Sequence, residues 1–313
     1  MKKTPVEFKD LERSVIAVPP LARPPDFSLC GKGNAKIVET LERGGVRSLM
    51  YGGNANFYHL PTSELARVLD LLEEIAGEDT WVLPSAGPDY GRLIDSLPVF
   101  KGRDFPSVMV LPALFPTTIA GVATGIRRFS DALGKPVILY LKREGYLGAR
   151  DVASLVNDGY VAGIKYAIVR ENPSQDGVLS ELCDLIDKRF IISGIGERPV
   201  VEHWRDFGLR SFTSGSVCVA PRLSEAILAA LRSGNYSAAQ NIVQLFLPIE
   251  DLRDEISPMR VLHCAVREAG VADSGPLTPL VDECLAEAQC ERVRAAAQSL
   301  RAAEEAHANL VAA

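Results

Sequence analysis

The chain has 313 residues, a length that suits one large domain or a barrel of ~250 residues with an appendage. Apolar residues make up 47% and charged residues 24%, so a sizeable core can form without disulfide staples. The formal charge is −6 with no dense Lys/Arg cluster, which excludes a general affinity for nucleic acid, and no run of about 18 apolar residues offers a membrane span.

The N-terminal Met1-Lys2-Lys3-Thr4-Pro5 leads into charged residues, not an apolar stretch, so no signal peptide is expected and the cytoplasm is the expected compartment. Short β-branched runs then follow in order: Ser14–Val18, Ser48–Tyr51, Trp81–Pro84, Ser107–Leu111, Pro136–Tyr140, Val161–Lys165, Phe190–Ser193 and, weakest, Arg210–Thr213. They begin ~20–35 residues apart, the length of one βα unit. The segments between them read as helices. Ser63–Ile75 puts Leu65, Val68, Leu71, Leu72 and Ile75 on one face, and Gly134 ends a helix that closes at Ser130-Asp131. Strands apolar throughout, alternating with helices, predict a parallel sheet covered on both faces. Eight such units favour closure into a (β/α)8 TIM barrel, with an open doubly wound sheet as the other arrangement the pattern allows.

Beyond residue ~222 the strand pattern stops. Leu223–Leu231, Ser237–Phe246, Ser257–Glu268 and Pro279–Ala308 read as helices. The expected division is a catalytic barrel over 1–232 and a C-terminal α-helical domain over 233–313, the last helix suiting a surface or subunit contact. The six cysteines, Cys30, Cys183, Cys218, Cys264, Cys284 and Cys290, form no C-x-x-C pair and read as reduced, mostly buried thiols.

In a barrel the chemistry sits at the C-terminal ends of the strands. Strand two ends in Tyr51-Gly52-Gly53-Asn54-Ala55-Asn56, where glycines let backbone N–H groups approach an anion, or simply make a tight turn. Strand five ends in Tyr140, whose hydroxyl can relay a proton or cap the rim. Strand six ends in Gly163-Ile164-Lys165. A lysine buried there would have a depressed pKa and a nucleophilic neutral amine; a rim lysine snorkelling to solvent is the plainer alternative. Strand seven ends in Ser193-Gly194-Ile195-Gly196-Glu197, and strand eight in Phe212-Thr213-Ser214-Gly215-Ser216. The histidines His59, His203, His263 and His307 are scattered and assemble no metal ligand set, so no metal is expected. Without a G-x-G-x-x-G or Walker motif, neither is a flavin, nucleotide or other cofactor.

Together these strand ends resemble the dihydrodipicolinate synthase / N-acetylneuraminate lyase family of class I aldolases, from Val15 to ~Leu231 with the helical appendage in keeping. The family's Gly-Thr-Thr-Gly-Glu matches Gly52-Gly53-Asn54-Ala55-Asn56. Its Tyr-Asn-x-Pro matches Tyr140-Leu141-Lys142-Arg143, its Gly-(Ile/Val)-Lys matches Gly163-Ile164-Lys165, and its Ser-Gly pair matches Ser193-Gly194. The resemblance implies that Lys165 forms an imine with pyruvate or another 2-keto acid and that Tyr140 shuttles protons. It further implies that the N–H groups of Gly53 and Asn54 hold the carboxylate and that the Phe212 carbonyl faces the lysine. It also implies a homo-oligomer, dimer or tetramer.

The departures from the family pattern matter. The Thr-Thr hydroxyls are lost at Gly53-Asn54, the Asn54 amide being one available replacement. The second tyrosine of the synthase relay falls at Leu114, and the synthase arginine falls at Gly145 with Lys142 and Arg143 nearby. A lyase for a sugar-derived 2-keto acid, whether aldolase or dehydratase, is therefore expected instead of the synthase itself. A catalytically silent barrel that binds such an acid as a sensor or scaffold is the alternative.

Overall fold

The computed structural model describes residues 1–281 and 285–312. Among them, the strands run β1 Ile16–Ala17, β2 Ser48–Met50, β3 Trp81–Leu83, β4 Met109–Val110, β5 Val137–Leu141, β6 Val161–Tyr166, β7 Ile191–Ser193 and β8 Thr213–Ser214. Pro84, which has no N–H to give, separates β3 from a short continuation at Ser85–Ala86, and that continuation carries the pairing to β4. All pairings are parallel. The order β3-β2-β1-β8 joins β4-β5-β6-β7 through this broken strand on one side and a Ser193–Phe212 bridge on the other. The ring is closed, which is the (β/α)8 barrel expected from the sequence. The open sheet is excluded.

The helices are α1 Phe8–Glu12, α2 Gly31–Arg43, α3 Thr62–Ile75, α4 Tyr90–Lys101, α5 Ile119–Leu133, α6 Ala149–Asn157, α7 Gly177–Leu185, α8 Val200–Phe207, α9 Pro221–Arg232, α10 Tyr236–Glu255, α11 Pro258–Glu268 and α12 Glu287–Ala312. In α5 the Thr118 side chain accepts from the Gly121 N–H at 3.1 Å and Gly134, at φ 76°, ends the helix, as the sequence predicts. In α3 the buried stripe is Leu65, Val68, Leu69 and Leu72, the i, i+3, i+4, i+7 positions; Leu71 and Ile75 sit at its flank, half-buried.

Three details depart from the sequence reading. The short α1 was not anticipated. It lies beneath the barrel and buries Leu11 completely. The helix read as Ser237–Phe246 continues through Pro248 to Glu255, and that extra length carries Arg253 to the barrel mouth. The last helix begins at Glu287, not Pro279. Cys218 and Cys264 are buried, while Cys30, Cys183 and Cys290 are only partly covered; Cys284 lies outside the described residues. No helix among the described residues is long and apolar enough to cross a membrane.

Candidate active site

Strand alternation decides which side chains enter the barrel. Along β6, Gly163 and Lys165 point inward and Tyr166 points outward, where its hydroxyl donates to Asp176 at the start of α7 at 2.7 Å. Tyr140 is the register partner of Lys165 across the β5–β6 ladder. The two therefore share a face, and the Lys165 Nζ stands 4.6 Å from the centre of the Tyr140 ring.

Both belong to a cavity of about 210 Å³ at the C-terminal ends of the strands, together with Gly53, Asn54, Tyr58, Lys142, Gly194, Thr213, Gly215, Glu250 and Arg253. A larger, mainly apolar groove of about 750 Å³ lies by α4 and α5, lined by Tyr90, Phe115 and Tyr146 among others, but it contains none of the residues singled out from the sequence. We place the chemistry in the smaller cavity because the buried ionisable groups converge there.

Lys165 is only 5% exposed, and no carboxylate is paired with it among the described residues. Burial, followed by the nearby charges of Lys142 and Arg253, brings its pKa down to about 7. A substantial fraction of the amine is thus neutral at physiological pH. Burial pushes Tyr140 up to about 12, against a small opposing pull from Arg253, so its phenol keeps its proton. A neutral amine beside a proton-holding phenol can attack a carbonyl and deliver or recover a proton. Lys142 is also lowered, by burial alone.

The other named residues divide. Gly194 lines the cavity, and its missing side chain is required there: a Cβ would stand 2.6 Å from the Tyr166 carbonyl oxygen and 2.9 Å from the Lys165 Cγ. Ser193 does not line it; its hydroxyl faces outward to His203 Nδ1 at 2.8 Å. Phe212 is likewise outside the lining. Its carbonyl accepts from the Ile16 N–H at 3.0 Å within the β1–β8 ladder, and the strand-eight residues at the cavity are Thr213 and Gly215.

Gly53 and Asn54 form a single 3-10 turn. The opening N–H groups of such a turn have no partner within it, and both residues line the cavity. The Asn54 side chain is not available in the same way, because its amide nitrogen donates to the Val18 carbonyl at 2.9 Å. The turn is fixed from the far side by His263 Nε2, 3.1 Å from the Asn54 carbonyl oxygen.

Sequence reasoning missed Arg253 and its carboxylates. Arg253 Nη1 donates to Glu250 Oε1 at 2.8 Å, and the Ser216 hydroxyl donates to the same oxygen. Glu197, fully buried, accepts from the Ser224 hydroxyl at 2.8 Å, and burial with the Glu250 charge nearby holds it well above the usual carboxylate range. Burial pulls Arg253 down, yet Glu250 and Glu197 outweigh it and hold the guanidinium above its usual value. Glu197 follows the strand-seven glycines and was in view. Arg253 and Glu250 come from α10, a helix that local pattern ties to no strand end. A charged i, i+3 pair there reads as a solvated face.

A closed parallel barrel whose sixth strand ends in a buried lysine, with no carboxylate paired to it among the described residues, has the architecture of the class I aldolase barrels. No family model matches the chain. It is 21% identical over 274 residues, 86% of this chain and 84% of the relative, to a probable 5-dehydro-4-deoxyglucarate dehydratase of Streptomyces coelicolor. Among solved structures it superposes on dihydrodipicolinate synthase from Bacillus clausii with a TM-score of 0.82 at 23% identity, covering 93% of this chain and 98% of that one. It superposes on the Ruminococcus gnavus sialic acid aldolase with a TM-score of 0.79 at 14% identity, covering 94% and 99%. The resemblance read from the sequence stands: this chain has the fold of the dihydrodipicolinate synthase / N-acetylneuraminate lyase family over nearly its whole length.

Proposed function

We propose that this chain is a Schiff-base lyase, an aldolase or dehydratase, acting on pyruvate or a sugar-derived 2-keto acid. The observation that carries this reading is Lys165: an amine buried in the cavity, with no carboxylate partner among the described residues and with Tyr140 against it. Lys165 attacks the keto carbon, and loss of water gives a protonated imine. That cation draws electrons from the neighbouring carbon and eases the making or breaking of a bond there. Tyr140 holds the proton that the carbonyl oxygen and the leaving group need in turn. The N–H groups of Gly53 and Asn54 receive the carboxylate.

The true synthase reaction is not proposed. Leu114 stands where the relay tyrosine belongs and is 63% exposed, and Gly145 stands where the arginine belongs. The likeness to a probable 5-dehydro-4-deoxyglucarate dehydratase supports a sugar-derived keto acid and a dehydration.

Incubation with pyruvate and borohydride tests the reading. A reduced adduct on Lys165, located by peptide mass, is expected. No adduct with pyruvate or longer 2-keto acids overturns it. Adduct formation without turnover of any sugar-derived keto acid favours the silent sensor instead.

A further inference from the structure

The carboxylate of a 2-keto acid has to be held beside the keto carbon that Lys165 attacks. In this chain the strand-two loop offers little beyond its backbone. Gly53 has no side chain, and the Asn54 amide is turned to Val18. A formal charge leaving water needs a stronger partner than two N–H groups.

We propose that Arg253, reaching over from α10, binds the carboxylate of the substrate. This rests on the Schiff-base reading above and adds to it a residue outside the barrel strands.

Arg253 lines the same cavity as Lys165, Gly53 and Asn54 and is only 9% exposed. Its Nη1 donates to Glu250, while the buried Nε, on the edge it shares with Nη2, has no hydrogen-bond partner among the described residues. An arginine buried purely to hold the fold is stable only when its donors are filled. Here the edge with the unfilled donor is the one that grips a carboxylate with parallel N–H bonds. Glu250 is itself fixed by Ser216, so the planar group is held in one orientation.

Gly215 explains how the guanidinium reaches the anion loop. A Cβ at that position would lie 2.9 Å from the Asn54 Nδ2 and 3.1 Å from the Arg253 Nη2. Without a side chain there, Arg253 and the Gly53-Asn54 turn close on one space. Arg253 thereby takes over the work of the missing threonine hydroxyls. Its charge also helps hold the Lys165 amine in its neutral form, so one residue serves the anion and the nucleophile.

The test compares borohydride trapping of two ketones on Lys165: pyruvate, and hydroxyacetone, which lacks the carboxylate. The ratio of their half-saturating concentrations cancels any change in the amine itself. In Arg253→Met the preference for pyruvate over hydroxyacetone should fall on the order of 10–100-fold, and millimolar guanidinium ion should restore part of it. Arg253→Met combined with Glu250→Gln leaves no unpaired buried carboxylate from this pair, and it should show the same loss if the single variant folds poorly. A preference unchanged in either folded variant overturns the assignment of Arg253 while leaving the Schiff base intact. Absence of any Lys165 adduct in the parent protein overturns the Schiff-base reading and this assignment with it.

Discussion

The two ends of β6 face the same barrel interior and solve opposite problems. At the lower end Gly163 makes room: a Cβ there would stand 3.1 Å from the Ile138 Cδ1 and 3.4 Å from the Leu11 Cδ1. Leu11 of α1 plugs that end with apolar contact, and burying it favours the fold by a few kcal/mol. Two residues on, Lys165 brings an ionisable amine into a space shared with Arg253 and Glu250. Burying an ammonium without a carboxylate partner costs stability, and the protein meets part of that cost by giving up the proton. One end is built for stability, and at the other stability is surrendered for reactivity.

The strongest test of this contrast is Lys165→Met. Turnover and adduct formation should fall by a factor on the order of 10⁴ or more, since the nucleophile is gone. Stability should move the other way, rising by about 1–4 kcal/mol, because an apolar chain of similar length replaces a poorly accommodated amine. The sign has a pH signature. The unfolded lysine, at its ordinary 10.5, binds a proton that the folded one, at about 7, has released, so the parent loses stability as pH falls from 10.5 to 7. The advantage of the Met variant should therefore be full below pH 7 and shrink towards pH 10.5, as denaturant titrations at several pH values would show.

Tyr140→Phe comes next. The ring remains beside Lys165 but its proton is lost, so turnover should drop roughly 10²–10⁴-fold while slow trapping of pyruvate persists. Equal loss of trapping and turnover would assign the hydroxyl to imine formation alone. At the other end, Leu11→Ala should cost about 2–5 kcal/mol in denaturant unfolding and leave the pH midpoint of trapping where it was. A shifted midpoint would mean that the plug and the mouth are coupled through β6, and the contrast between the two ends would fail.

How far this was legible in the sequence follows the same division. The barrel was readable because β-branched runs and amphipathic helices alternate eight times at the length of a βα unit, and each run tolerates an error of a residue or two without changing the ring. Lys165 and Tyr140 were readable because an inward-facing position at a strand end is set by period two along the strand. Phe212 shows the limit of that rule: its carbonyl accepts from the Ile16 N–H within the ladder, while the next residue, Thr213, lines the cavity. Arg253 was hidden because its role depends on where α10 packs, which no local pattern encodes. The helix read as Ser237–Phe246 stops short of Arg253, whereas α10 runs on through Pro248 to Glu255.

The smallest effect concerns the outward side of the same strands, where His203 meets the Ser193 hydroxyl behind the site. Burial brings His203 down to about 4, so the folded protein keeps it neutral while the unfolded chain protonates it near 6.5. Between those values the unfolded state holds the extra proton, and its contribution to stability is lost as pH falls from 6.5 to 4. His203→Gln keeps a hydrogen-bonding side chain for Ser193 but cannot titrate. Its unfolding midpoint should be displaced by one fixed amount above pH 7, and the gap to the parent should narrow or reverse towards pH 4. Because His203 lies outside the barrel wall, the pH midpoint of Lys165 trapping should stay at about 7 in the same variant. A midpoint that moved would show that the helical shell, and not the cavity alone, sets the charge state of the amine.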